Sequence, residues 1–198
     1  MYDERLQYHN FNHPLETIRN SKVLIDRCRE EKLPVNEKVV YLALLFHDAG
    51  YAEDFKEKGF ATKERYSAHL AVRALEESGE DLHIIEMVSD AIMATERGRE
   101  AETNEQKIVR AADLMGLAYD YAEFMKNNKD YKAETEMLEN KKIPWPEWQA
   151  KCKNNLELYL SQDIRITRAH DDMTGESDFH KKAYANLKRF LAEPTEPA

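Results

Sequence analysis

The chain has 198 residues, 42% of them hydrophobic and 34% charged, with a formal net charge of −9. That length closes a substantial core as one domain, and the acidity disfavours general attraction to nucleic-acid phosphates or anionic membranes, leaving room only for a locally basic cleft. The start, MYDERLQYHN, lacks a basic segment followed by an apolar one, and no run of about 18 apolar residues occurs, so a soluble cytoplasmic protein is expected.

Glycine and proline number six each, and apolar residues recur at three- and four-residue steps, which predicts an all-α fold. The first helix starts near Pro14 and turns Leu15, Ile18, Leu24, Ile25 and Cys28 toward a core until EEKLPVN breaks it. Asn36 caps a second helix through Val39, Val40, Leu42, Leu44, Leu45 and Phe46, apolar on nearly every side as a central helix would be. His47 and Asp48 sit at its end.

Gly50 and Gly59 bracket a polar loop, Thr62 caps a third helix that ends at Gly79, and LHIIEMVSDAIMAT reads as a fourth. From Asn104, NEQKIVRAADLMGLAYDYAEFM predicts one longer fifth helix with Ile108, Ala112, Met115 and Tyr119 on one face and Asp113 beside them. NNKDYK then opens a more polar stretch, and Pro144 and Pro146 mark a turn before a helix from about Glu147 to Ser161. A last helix spans about Ser177 to Leu191. The expected organisation is a single domain over 1–192, with C-terminal helices over about 145–192 and a disordered tail over 193–198. Cys28 and Cys152 lie in no metal-binding or redox spacing and read as reduced, partly buried thiols. Trp145 and Trp148 read as core anchors of a helix start; His83, His170 and His180 match no motif and read as structural or exposed.

An apolar helix ending on a histidine and an aspartate calls for a use for both. These side chains bind divalent metals, and adjacent helical residues lie about 100° apart, so both can face one ion. Two ligands are too few for tight binding. YHNFNH supplies His9 and His13 at the start of the first helix, and RAADLMGLA supplies Asp113.

In this ordered set the chain resembles the HD superfamily of metal-dependent phosphohydrolases. YHNFNH looks like the YHN, two residues, H element of one branch and of cyclic-nucleotide phosphodiesterases. LLFHDAGY is similar to the branch's FHDxxY, and AADLMGLA to its DADLxxLG, with Ala111 in place of the first acid. KERYSAHLA is similar to an NExSA-like element, with Lys63 in place of the asparagine and one extra residue before Ser67; the histidine often found after the threonine is absent from MATERGRE. The motif-bearing stretch covers about 8–118.

The resemblance implies a helical bundle with a metal site between its central helices. His13, His47, Asp48 and Asp113 would hold one divalent ion (manganese, magnesium, iron, nickel, cobalt or zinc), a second ion being left open, and an acidified water would attack phosphorus. His9 matches the non-ligand histidine that gives a proton to the leaving oxygen in the phosphodiesterase branch, a role suited to an imidazole. Glu64 would serve as base or orienting group for the water, and Glu53 or His69 is the candidate ligand for a second ion. Arg97, with Arg99, would neutralise a substrate phosphate or else is a solvated loop charge. The implied activity is hydrolysis of phosphate esters, of nucleotides or other small phosphorylated metabolites, with homo-oligomerisation left open. Two rivals are a non-catalytic nucleotide-binding or regulatory protein on the same scaffold and a di-iron oxygenase.

Overall fold

Asn36, Thr62, Asp81 and Ser177 each precede a helix, and each side-chain oxygen accepts a backbone N–H of the first turn. Such caps satisfy donors that the helix itself leaves unpaired. The computed structural model describes residues 1–162, 164–169, 171 and 173–195. The helices are α1 (Asn12–Glu30), α2 (Glu37–Phe46), α3 (Lys63–Glu77), α4 (Leu82–Met93), α5 (Asn104–Leu114), α6 (Tyr121–Glu139), α7 (Trp145–Leu160) and α8 (Asp178–Ala192), with a 3-10 turn at Met115–Ala118. The only β pairing among the described residues is an isolated bridge between Asp171 and Ser177, so the fold is all-α, as the sequence predicts. No helix among the described residues is long and apolar enough to cross a membrane.

The chain divides into two compact units, Met1–Leu114 and Met115–Ala198. In the first, α2 packs against α1, α3, α4 and α5 and buries Val39, Val40, Ala43 and Leu44 completely. Its central place follows from its composition, since a helix apolar on most sides must be enclosed. The core stripe of α1 differs from the predicted one. Leu15 is exposed, and the buried positions after the first-turn pair His13 and Pro14 are Thr17, Ser21, Leu24, Ile25 and Cys28. The two hydroxyls tolerate burial because each donates to a carbonyl one turn back, Thr17 to Pro14 at 3.0 Å and Ser21 to Ile18 at 2.8 Å.

The single long fifth helix is also corrected. Helix α5 stops at Leu114, the chain tightens into the 3-10 turn, and α6 begins afresh after Asp120. Gly116 lowers helix propensity there by about 1 kcal/mol relative to alanine. The NNKDYK stretch lies inside α6, where charges pair along the helix: Lys126 with Asp130 at 3.0 Å and Lys132 with Glu136 at 2.8 Å.

In the second unit, Phe124, Trp145, Trp148, Leu156, Leu187 and Phe190 form the core. Trp145 and Phe124 both meet the Phe190 ring edge to face, so the tryptophans anchor the core at the start of α7. That helix begins two residues earlier than predicted because Pro144 and Pro146 occupy its cap and first turn, where a missing N–H costs nothing. Cys28 and Cys152 are free and buried, and burial pushes the Cys152 thiol up to about 12. His83 is exposed, and His180 bonds through Nδ1 to its cap residue Ser177 at 2.6 Å; His170 lies outside the described residues. Of the predicted tail, 196–198 lie outside them too, while the Glu193 carbonyl accepts from Trp145 Nε1 at 3.1 Å.

Candidate metal centre

Three separate stretches of the first unit deliver the site. His13 stands in the first turn of α1, His47 caps α2 with Asp48 directly after it, and Asp113 lies in the last turn of α5. After Phe46 the chain leaves the helix in a tight turn: the Ala49 N–H donates to Phe46 at 3.0 Å and the Tyr51 N–H to Asp48 at 3.1 Å. Gly50 is required there, because a Cβ would come within 2.4 Å of the Tyr66 ring. Its N–H donates to Ser67 Oγ at 3.2 Å, tying the turn to α3. On the other side Asn20 Nδ2 of α1 donates to the Ala112 carbonyl at 3.3 Å, which fixes α1 beside Asp113.

One ligand atom from each of His13, His47, Asp48 and Asp113 lies within 4.8 Å of all the others. His47 Nε2 is 3.3 Å from His13 Nε2, 3.1 Å from Asp48 Oδ2 and 3.3 Å from Asp113 Oδ1. His13 Nε2 is 3.3 Å from Asp113 Oδ1 and 3.6 Å from Asp48 Oδ2. His47 is fully buried, and Asp48 is 3% exposed. The orientation of His47 is fixed by its neighbour: Nδ1 faces the Leu44 carbonyl at 2.8 Å, and a carbonyl only accepts, so Nδ1 carries a proton and Nε2 is the nitrogen left to meet the cluster, as a donor when protonated and as a metal ligand when not.

Two imidazole nitrogens and two carboxylate oxygens packed this closely inside a protein need a positive charge among them, a proton or a metal ion. The electrostatics agree. Burial acts to strip a proton from His47, but Asp48 and Asp113 outweigh it and push its pKa up to about 10. Burial likewise opposes the charged forms of both carboxylates, yet His47 holds each well below the usual range. Two imidazoles and two carboxylates suit a borderline or hard divalent ion, and donor separations of this size suit ligands about 2.0–2.2 Å from one centre. The cluster can therefore hold a divalent metal.

The remaining predicted site residues are placed unevenly. His9 is buried, its Nε2 3.7 Å from Asp48 Oδ2, and its ring stacks on Tyr51 at 3.6 Å between centroids. Glu64 is buried in the first turn of α3. Arg97 is exposed in the turn after α4, and Arg99 lies in the same loop 3.9 Å from Glu96. Glu53 accepts from the Tyr66 hydroxyl at 2.8 Å and pairs with Lys58; His69 is exposed against the Phe60 ring. The sequence reading missed Lys63. Its Nζ lies 2.7 Å from Asp48 Oδ1 and 3.2 Å from Glu64 Oε1, and over the Tyr51 ring. Burial works against the ammonium, but Asp48 and Glu64 hold its pKa well above the ordinary lysine range. The available signal was its replacement of an asparagine beside Glu64.

A search of curated proteins found no match. The HD domain family matches residues 10–115. Because that match spans more than half of the chain and all four converging side chains, the chain belongs to the HD domain family, whose members are generally metal-dependent hydrolases.

Proposed function

We propose that the chain is a phosphohydrolase that cleaves esters of small phosphorylated metabolites, nucleotides foremost, at a centre held by His13, His47, Asp48 and Asp113. The observation that supports it most is the convergence of four potential ligand atoms, two imidazole nitrogens and two carboxylate oxygens, from three distant stretches. A divalent ion bound there supplies Lewis acidity, acidifying water and polarising a phosphoryl oxygen.

The chain's own residues account for the rest of the chemistry. Glu64, buried next to Lys63, takes the proton of the attacking water or orients its lone pair toward phosphorus. His9, held against Tyr51 and beside Asp48, gives a proton to the leaving oxygen as the ester bond breaks. Arg97, an exposed cation in the loop after α4, meets the substrate's remaining phosphate charge.

Metal content and turnover test this reading together. The purified protein is expected to bind about one divalent ion per chain, and His47→Ala and Asp113→Ala to lose it. A panel of nucleotides and generic phosphate esters, assayed with manganese, magnesium, nickel or cobalt, is expected to show hydrolysis that His9→Ala lowers about 10²- to 10⁴-fold. Metal binding without cleavage of any ester would replace the reading with a nucleotide-binding protein. Two bound irons with oxygen consumption would replace it with an oxygenase.

A further inference from the structure

We propose that the Lys63 ammonium is a built-in cation that fills the carboxylate-lined position where a second metal ion would bind, so that the centre holds one divalent ion and no more. This rests on the metal-binding reading above and concerns the far side of Asp48. The two oxygens of that carboxylate face different partners. Oδ2 points at His47 and His13, at 3.1 and 3.6 Å, while Oδ1 lies 2.7 Å from Lys63 Nζ. A carboxylate that bridges two metal ions offers one oxygen to each, and here the outer oxygen is already taken by an ammonium.

The position is lined as a cation site. Glu64 Oε1 lies 3.2 Å from the same Nζ, so two carboxylates from the turn after α2 and from α3 face one point. Lys63 stands directly after the Thr62 cap, and its Nζ lies over the Tyr51 ring, 5.5 Å from the centroid. Being tethered to the backbone, this cation cannot diffuse away and be replaced as a free ion would be.

Charge balance points the same way. Asp48, Asp113 and Glu64 bring three negative charges; one divalent ion and one ammonium bring three positive ones. A second divalent ion added beside the ammonium would bring five positive charges against three negative ones, which is costly in a buried site.

Equilibrium dialysis against manganese, read by elemental analysis and electron paramagnetic resonance, tests the proposal without reference to activity. Wild type is expected to plateau at one ion per chain with the signal of an isolated ion. Lys63→Ala is expected to take up two, with the exchange-coupled signal of a carboxylate-bridged pair, and Lys63→Arg to remain at one. Lys63→Gln keeps the side chain's length without its charge and serves if the alanine variant does not fold by circular dichroism; it is then expected to take up two. A plateau of one ion in the folded alanine or glutamine variant, beside one in wild type, overturns the role of Lys63 and leaves the metal reading standing. Two ions in wild type overturn it as well. No ion in wild type removes the metal reading, and this inference with it.

Discussion

His47 carries a proton decision that its neighbours make for it. With Nδ1–H committed to the Leu44 carbonyl, only Nε2 can titrate, and it sits between two carboxylates that raise its pKa to about 10 in the metal-free site. The folded pKa lies above the ordinary histidine value, so at neutral pH Nε2 of the metal-free protein is protonated and an incoming cation must displace that proton. Calorimetric titration with manganese at pH 7, in buffers of different ionisation enthalpy, is expected to show release of about one proton per ion. Affinity is expected to weaken as pH falls and to level off only above about 10. Binding with no proton release would contradict the raised pKa of His47. The candidate ligands were legible in the sequence because they recur in order, His13, then His47 and Asp48, then Asp113; the adjacent pair alone would read as a hydrogen-bonded helix end. Lys63 was not legible as a site residue. A lysine at a helix start ordinarily reads as a solvated charge, and its contact with Asp48 depends on how the loop of residues 49–62 folds back, which no local pattern encodes.

Helix α6 shows where element reading succeeds and fails. Starts marked by Asn36, Thr62 and Ser177 were legible because a cap is a bond made within a few residues. The continuation through NNKDYK was not, because a helix held by ion pairs lacks the apolar stripe that periodicity detects. Glu136 is the most engaged of those charges. Its Oε1 accepts from Lys132 Nζ at 2.8 Å and from the Ile143 N–H at 2.9 Å, and its Oε2 from Lys142 Nζ at 2.6 Å, which fastens the end of α6 to the segment leading into α7. These bonds, those from Lys132 and Lys142 foremost, hold its pKa down at about 2. The folded value lies below the unfolded one, so its contribution is complete above about pH 4.5 and is lost as pH falls toward 2. Glu136→Gln is expected to cost about 1–3 kcal/mol in urea unfolding at pH 7, with the gap to wild type closing between pH 4.5 and 2. A gap unchanged across that range would show that the charge contributes nothing.

At the scale of the whole chain, the candidate metal ligands and the tryptophans fall in different units. His13, His47, Asp48 and Asp113 lie within Met1–Leu114, whereas Trp145 and Trp148, the two tryptophans present, lie within Met115–Ala198. Metal therefore acts on one unit while tryptophan fluorescence reports on the other. An ion that binds only the folded state adds about 2.7 kcal/mol at a free concentration one hundred times Kd, so saturating manganese is expected to raise the unfolding midpoint read by far-ultraviolet circular dichroism. If residues 1–192 form a single cooperative domain, as length predicts, the tryptophan transition must rise with it, because a two-state chain has one midpoint for every probe. The coincident shift is the expected result. A circular-dichroism curve that splits on adding metal, with the tryptophan transition left in place, would show instead that the C-terminal helices unfold on their own and that the metal centre stabilises only the first 114 residues.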